Sequence, residues 1–263
     1  MDPALFLKAL LLGAVEGLTE FLPVSSTGHL IIVADAIGFT DESAQTFEIF
    51  IQLGAILGVV WHYRRKLGDL TRGIARAPER RFLLNLLLAF TPAAIVGLAL
   101  YKQIKVYLFN PTTVAVALII GGILILLIER APRQTRVYKL DELRPLDALK
   151  IGLAQITALF PGVSRAGATI MGGLLSGLSR TCATEFSFFL AIPTMFAATL
   201  FELYQSRGIL NLDNLAVFAV GFITAFLTAL IVIRVFLAYV SRHNFVVFGY
   251  YRIAFGLLVL AYF

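Results

Sequence analysis

The stretch EGLTEFLPVSSTGH, Glu16–His29, decides the reading of this chain, because two carboxylates, hydroxyls, a proline, a glycine and a histidine interrupt an otherwise apolar segment. PGVSRAGAT at Pro161–Thr169 interrupts a second apolar segment, about half the chain away, with the same mixture and an arginine. Pro23 and Pro161 lack a backbone donor and break a helix, while Gly28, Gly162 and Gly167 admit backbone conformations that other residues resist. Irregular, polar backbone is tolerated at membrane depth only where it is buried in protein or lines a watery cavity. The two stretches therefore predict two broken helices that meet inside a membrane.

Composition agrees. Hydrophobic residues make up 59% of the chain, charged residues only 14%, and the mean hydropathy is +0.87, which excludes an ordinary soluble domain. At about 1.5 Å rise per residue, six windows are long enough to cross a hydrocarbon core of about 30 Å. They are Phe47–Tyr63, Phe82–Tyr101, Thr112–Ile128, Glu185–Tyr204, Leu215–Tyr239 and Phe245–Phe263. Leu5–Leu22 lacks the basic leader and small-residue cleavage pattern of a signal peptide and carries Glu16 and Glu20, so it is expected to remain in the mature chain. The single Cys182 excludes an internal disulfide and a multi-cysteine zinc site.

The net charge of +6 is not spread as a nucleic-acid surface would be, and no nucleic-acid partner is expected. Basic residues crowd into Arg64–Arg81 and Arg130–Lys150, which the positive-inside rule makes cytoplasmic. Two spans separate them, so both fall on one face; Lys102–Pro111, Gln205–Asn214 and both termini are then external. Shifting the chain on itself by about 139 residues sets Val24, Ser25 and Gly28 opposite Val163, Ser164 and Gly167, and Phe47 opposite Phe186. The expected fold is thus an all-α polytopic membrane protein and a single membrane domain, residues 1–263. Residues 1–130 and 146–263 form inverted repeats, each a re-entrant helix pair (roughly Leu5–Ile37 and Leu146–Leu178) followed by three spans.

Glu16 and Glu20 share one helical face, and two carboxylates in an apolar segment call for a cation; oxygen ligands of this kind suit Mg²⁺ or Ca²⁺. His29 is suited to proton transfer, with Ser25, Ser26 and Thr27 supplying hydroxyls just before it, those of Ser25 and Thr27 expected to bind the substrate phosphate. Arg165 offers a planar fork for phosphate oxygens, and Ser164 and Thr169 offer hydrogen bonds beside it. Carboxylates for metal, arginine for phosphate and histidine for protons compose a phosphoryl-transfer site. Glu48 with Gln52 suits either a cavity wall or helix packing, and Glu202 with Arg234 is read as structural. A transporter or lipid flippase is the alternative, since paired broken helices also build transporter sites.

EGLTEFLPVSSTGH and PGVSRAGAT, together with TFEIFIQLG, EFSFFLAIP and FAVGFITAF, closely resemble the bacterial undecaprenyl-pyrophosphate phosphatases of the bacitracin-resistance type. The resemblance implies removal of the terminal phosphate of a polyprenyl pyrophosphate, with a divalent cation, to recycle the lipid carrier of envelope polysaccharides. It implies Glu16 and Glu20 as the acidic pair, Ser26 and His29 as catalytic residues of the first loop, and Ser164, Arg165 and Thr169 as the phosphate-binding group. It also implies a homodimer in the bacterial cytoplasmic (inner) membrane with the site open to the outer face. Ala166 departs from the SRSG form of the motif, which removes any role for a hydroxyl there. Attack by Ser26, attack by His29 and activation of water by His29 all remain open at this level; Ser26 assisted by His29 is the favoured form.

Overall fold

The computed structural model describes residues 3–40, 42–205 and 215–263, and among these the chain is helical, with no strand beyond an isolated bridge between Val137 and Leu178. The first interrupted segment folds as α1 (Pro3–Thr19) and α2 (Ser26–Ala36), the second as α7 (Pro145–Ile156) and α8 (Arg165–Leu175). Between them lie α3 (Glu42–His62), α4 (Arg64–Arg72), α5 (Ala77–Tyr107) and α6 (Pro111–Arg130); α9 (Arg180–Gln205), α10 (Leu215–Val240) and α11 (Val246–Tyr262) follow. Each predicted break is present: α1 ends four residues before Pro23 and α7 five before Pro161, and Ser25 and Ser164 stand immediately before the helices that follow.

Among the described residues four helices are long and apolar enough to cross a membrane, namely Ala77–Ile104 within α5, α6, α9 and α10. A fifth span results if Thr46–His62 and α4 are counted as one, although they meet at 69°. The sixth expected span, α11, is apolar but has only 17 residues. The difference arises at both ends of the argument: hydropathy does not register the bend at Tyr63, and the chain before α11 turns at 241–245 instead of extending the helix. What read as a basic connection, Arg64–Arg81, contains the helix α4, whose Leu70 is buried and whose Lys66 lies over the Phe189 ring at 5.0 Å. The expected external connection Gln205–Asn214 lies, after Gln205, outside the described residues.

The helices pack as α1 on α10, α3 on α10, α5 on α7, α6 on α11, and α8 between α7 and α9. Small residues set these approaches. A Cβ at Gly17 of α1 would stand 2.5 Å from the Ala225 carbonyl oxygen of α10, so only glycine lets the helix carrying Glu16 seat this closely. On the outside, Ile223, Leu227, Ile231 and Val235 recur every fourth residue along α10 and are all exposed, as are Ile120, Ile123, Leu124 and Leu127 on α6. Apolar stripes of that extent are tolerable against lipid and costly in water. The connection 131–145 is not a free tether: Arg136 pairs with Asp147 of α7 and donates to the Ser176 carbonyl at 2.7 Å, fastening it across the ends of α7 and α8.

Candidate active site

The two breaks are built alike. Ser25 precedes α2 with φ of 70° and Ser164 precedes α8 with φ of 73°; they are the only non-glycine residues with positive φ among those described. Holding a serine in this left-handed region costs roughly 1–3 kcal/mol, a strain that persists where surrounding structure dictates it. Ser164 compensates by accepting a hydrogen bond from the Gly167 amide at 3.0 Å, and its hydroxyl reaches the Leu22 carbonyl of the other break at 3.4 Å. Gly162, with φ of 92°, turns the chain where a Cβ would lie 2.5 Å from the Val114 carbonyl oxygen.

Arg252 of α11 joins the breaks. It is 1% exposed and uses all five N–H donors on main-chain carbonyls. Nη1 donates to Pro23 at 3.2 Å and Val163 at 2.8 Å, Nη2 to Gly162 at 2.9 Å and Ala117 at 3.2 Å, and Nε to Leu118 at 3.3 Å. Sequence reasoning missed this residue. The available signal was a lone arginine in the middle of the apolar run FGYYRIAFG, a position that demands internal partners.

With the tips fastened, Glu20, Ser26 and Arg165 come together. Ser26 donates its hydroxyl to Glu20 Oε2 at 2.5 Å, and Arg165 Nη2 donates to Glu20 Oε1 at 3.4 Å. Arg165 is further held by the Ser187 carbonyl at 3.0 Å and sits 5.7 Å from the Phe21 ring centroid, while its Nε is buried without a hydrogen-bond partner. Glu16, one turn earlier on α1, is fully buried and both its oxygens lack partners. A free N–H donor and a free carboxylate are therefore left beside the occupied ones.

The other expected site residues are placed differently. His29 makes no hydrogen bond to Ser26: Nδ1 lies 2.7 Å from the Ser25 carbonyl and Nε2 2.6 Å from the Tyr251 hydroxyl, with the ring stacked on Phe255 at 4.1 Å. A carbonyl only accepts, so Nδ1 carries the proton and, in the neutral ring, Nε2 accepts from Tyr251. Thr169 is 1% exposed and spends its hydroxyl on Ser187 Oγ at 2.7 Å and the Arg165 carbonyl at 2.9 Å, between α8 and α9. Ser25 is buried at the break, Thr27 occupies the first turn of α2, and Ala166 is fully buried in the core.

The donor set fits a divalent cation. Both Glu16 oxygens are buried without a hydrogen-bond partner, one helical turn from Glu20, whose two oxygens take Ser26 and Arg165. Among the described residues no three His, Cys, Asp or Glu side chains gather as an all-protein cage. One or two carboxylates completed by phosphate oxygens and water is the arrangement Mg²⁺ favours.

Fold and centre thus define a class: a multi-pass helical membrane protein with a buried carboxylate, hydroxyl and guanidinium constellation at the junction of two helix breaks. A family model described as bacitracin resistance protein BacA matches residues 9–258, and the chain belongs to that family. It is similar to the undecaprenyl-diphosphatase of Nitrosospira multiformis, 58% identical over 261 residues covering 99% of this chain and 96% of that protein. The undecaprenyl-diphosphatase of Dechloromonas aromatica is 56% identical over 262 residues, again 99% and 96% of the two chains. Undecaprenyl-diphosphatase 2 of Rhodospirillum rubrum is 55% identical over 263 residues with the same coverage.

Proposed function

We propose that this chain hydrolyses undecaprenyl diphosphate to undecaprenyl phosphate and inorganic phosphate, supplying the lipid carrier and conferring bacitracin resistance. One observation carries the chemistry: Ser26 gives its hydroxyl proton to a hydrogen bond with Glu20, and Glu20 is flanked by Arg165. Arg165 binds the terminal phosphate through its unpartnered Nε and stabilises charge as it develops. Glu20 takes the Ser26 proton as Oγ bonds the terminal phosphorus and the bond from phosphorus to the bridging oxygen breaks. The lipid leaves as its monophosphate, and water then hydrolyses the phosphoserine. His29, oriented by the Tyr251 hydroxyl on its Nε2, holds the Ser25 carbonyl through Nδ1 and hence the first turn of α2; in this reading His29 positions Ser26 and Glu20 is the base. Thr169 and Ser187 hold Arg165. Glu16, with Glu20, would hold Mg²⁺ or Ca²⁺, which supplies positive charge to the diphosphate oxygens when bound.

The same reading includes the inverted arrangement of residues 1–130 and 146–263. It is supported by the matched strain at Ser25 and Ser164 and by the parallel pairings of α1 with α10 and α7 with α5. It further places the chain in the inner membrane with both termini and the site on the outer side, as a homodimer. No observation favours the flippase reading. Purified protein in detergent should release phosphate from undecaprenyl diphosphate and lose that activity to a chelator; folded protein that releases none would sink the proposal.

A further inference from the structure

At the far end of α8 from Arg165 lies a cavity of about 300 Å³, between the connection after α6, the start of α9 and the turn between α10 and α11. That volume is at the lower end of ligand pockets, about 300–1,000 Å³. α8 has eleven residues, so its two ends are roughly 15 Å apart and the cavity is separate from the hydrolytic centre. Arg133, Arg180, Arg242 and His243 line it with the hydroxyls of Ser179 and Thr181, and no acidic side chain does.

The arginines are not fully spent on one another's partners. Glu129, whose side chain is 1% exposed, accepts from Arg133 at 2.9 Å and from Arg180 at 2.6 and 3.0 Å, and also from the Phe245 amide at 3.0 Å. It fixes two guanidinium groups in place. Three positive charges against this one negative leave a surplus of two. Arg133 Nη1 is buried and has no hydrogen-bond partner, although an N–H in that situation forfeits its hydration. The first turn of α9, capped by Ser179 Oγ accepting from the Cys182 amide at 3.2 Å, turns the positive end of a 26-residue helix toward the same space.

We propose that this cavity is a second anion site, for a terminal or free phosphate group, held by Arg133, Arg180 and Arg242. Guanidinium forks oriented by a buried carboxylate suit a tetrahedral group with several charged oxygens better than a single carboxylate. The ligand is either the phosphate of an anionic lipid headgroup or free inorganic phosphate. Basic pockets between membrane helices are a known setting for the first, and the second is a small anion that the cavity admits without an acyl chain.

The test uses the full chain carrying Arg165→Gln, so that phosphate bound at the hydrolytic centre does not contribute. In one arm inorganic phosphate is titrated calorimetrically into delipidated protein in a neutral detergent; in the other, protein in phosphatidylcholine nanodiscs with or without phosphatidic acid is assayed for retained phosphatidic acid by native mass spectrometry. Arg242→Gln is expected to weaken binding by about tenfold, the worth of one charged hydrogen bond. Arg133→Lys keeps the charge beside Glu129 but loses the fork, and gives a second reading if the first variant is poorly folded. Weakening in either variant, for phosphate alone, for phosphatidic acid alone or for both, supports the site and identifies its source. Absence of binding by both ligands, or binding of either or both that neither substitution weakens, overturns it.

Discussion

Glu20 stands between a hydroxyl and a guanidinium, while Glu16 touches neither, so the two carboxylates should fail differently. Glu20→Gln still accepts from Ser26 but takes no proton; a fall in kcat of about 10²–10⁴ is expected in steady-state phosphate release. Glu16→Gln should chiefly flatten the response of rate to added Mg²⁺ or Ca²⁺, and an unchanged cation titration would remove Glu16 from the cation site. Arg165→Lys keeps charge without the fork and should cost about 10²–10³ in kcat/KM. Thr169→Val offers the contrast: its hydroxyl serves Ser187 and the Arg165 carbonyl, so the loss should appear as about 1 kcal/mol of stability in a thermal melt with kcat only modestly lower. A loss as deep as that of Glu20→Gln would return Thr169 to the phosphate.

At the scale of elements, Arg252 is the fastening that lets two hairpins act as one site. Arg252→Met would take the guanidinium from the Pro23, Gly162 and Val163 carbonyls of the two breaks, while Ala117 and Leu118 keep their amide donors within α6; the change should cost a few kcal/mol and lower both Tm and activity. Arg252→Lys offers three donors for five acceptors and should fall between the two; a variant melting like the native protein with full activity would refute the fastening. Much of this level was legible in the residues. Pro23 and Pro161 marked the helix breaks, and the Ser25–Ser164 match set the two breaks opposite each other; the positive φ at both serines was not legible, because unusual backbone was expected at Gly28, Gly162 and Gly167, of which only Gly162 has it. Arg252 and Tyr251 were not legible, because their partners lie up to 229 positions away and no local period announces them. The pairing of Ser26 with Glu20 was hidden for a related reason: proximity in sequence pointed to His29, three residues on, but on a helix that ring faces the Ser25 carbonyl and α11.

Across the whole molecule, the exposed apolar stripes of α6 and α10 suit a lipid surrounding, and Arg81 donates to the Asp141 carbonyl, which brings the two basic connections to one end of the bundle; the proposed topology makes that end cytoplasmic. Single cysteines introduced in a Cys182→Ser background at Arg72 and Gln134 should react only with reagent admitted from the cytoplasmic side, and one at Phe109 only from outside. Labelling of 72 and 134 from opposite faces would undo the inverted arrangement. The central claim is that residues 145 positions apart, Glu20 and Arg165, form a single hydrolytic centre. The most direct measurement is kcat/KM for phosphate release by Glu20→Gln, Arg165→Gln and the double variant. Residues acting as one unit are strongly non-additive, so the double variant should be no more impaired than the worse single; a loss equal to the product of the two single losses would contradict the account.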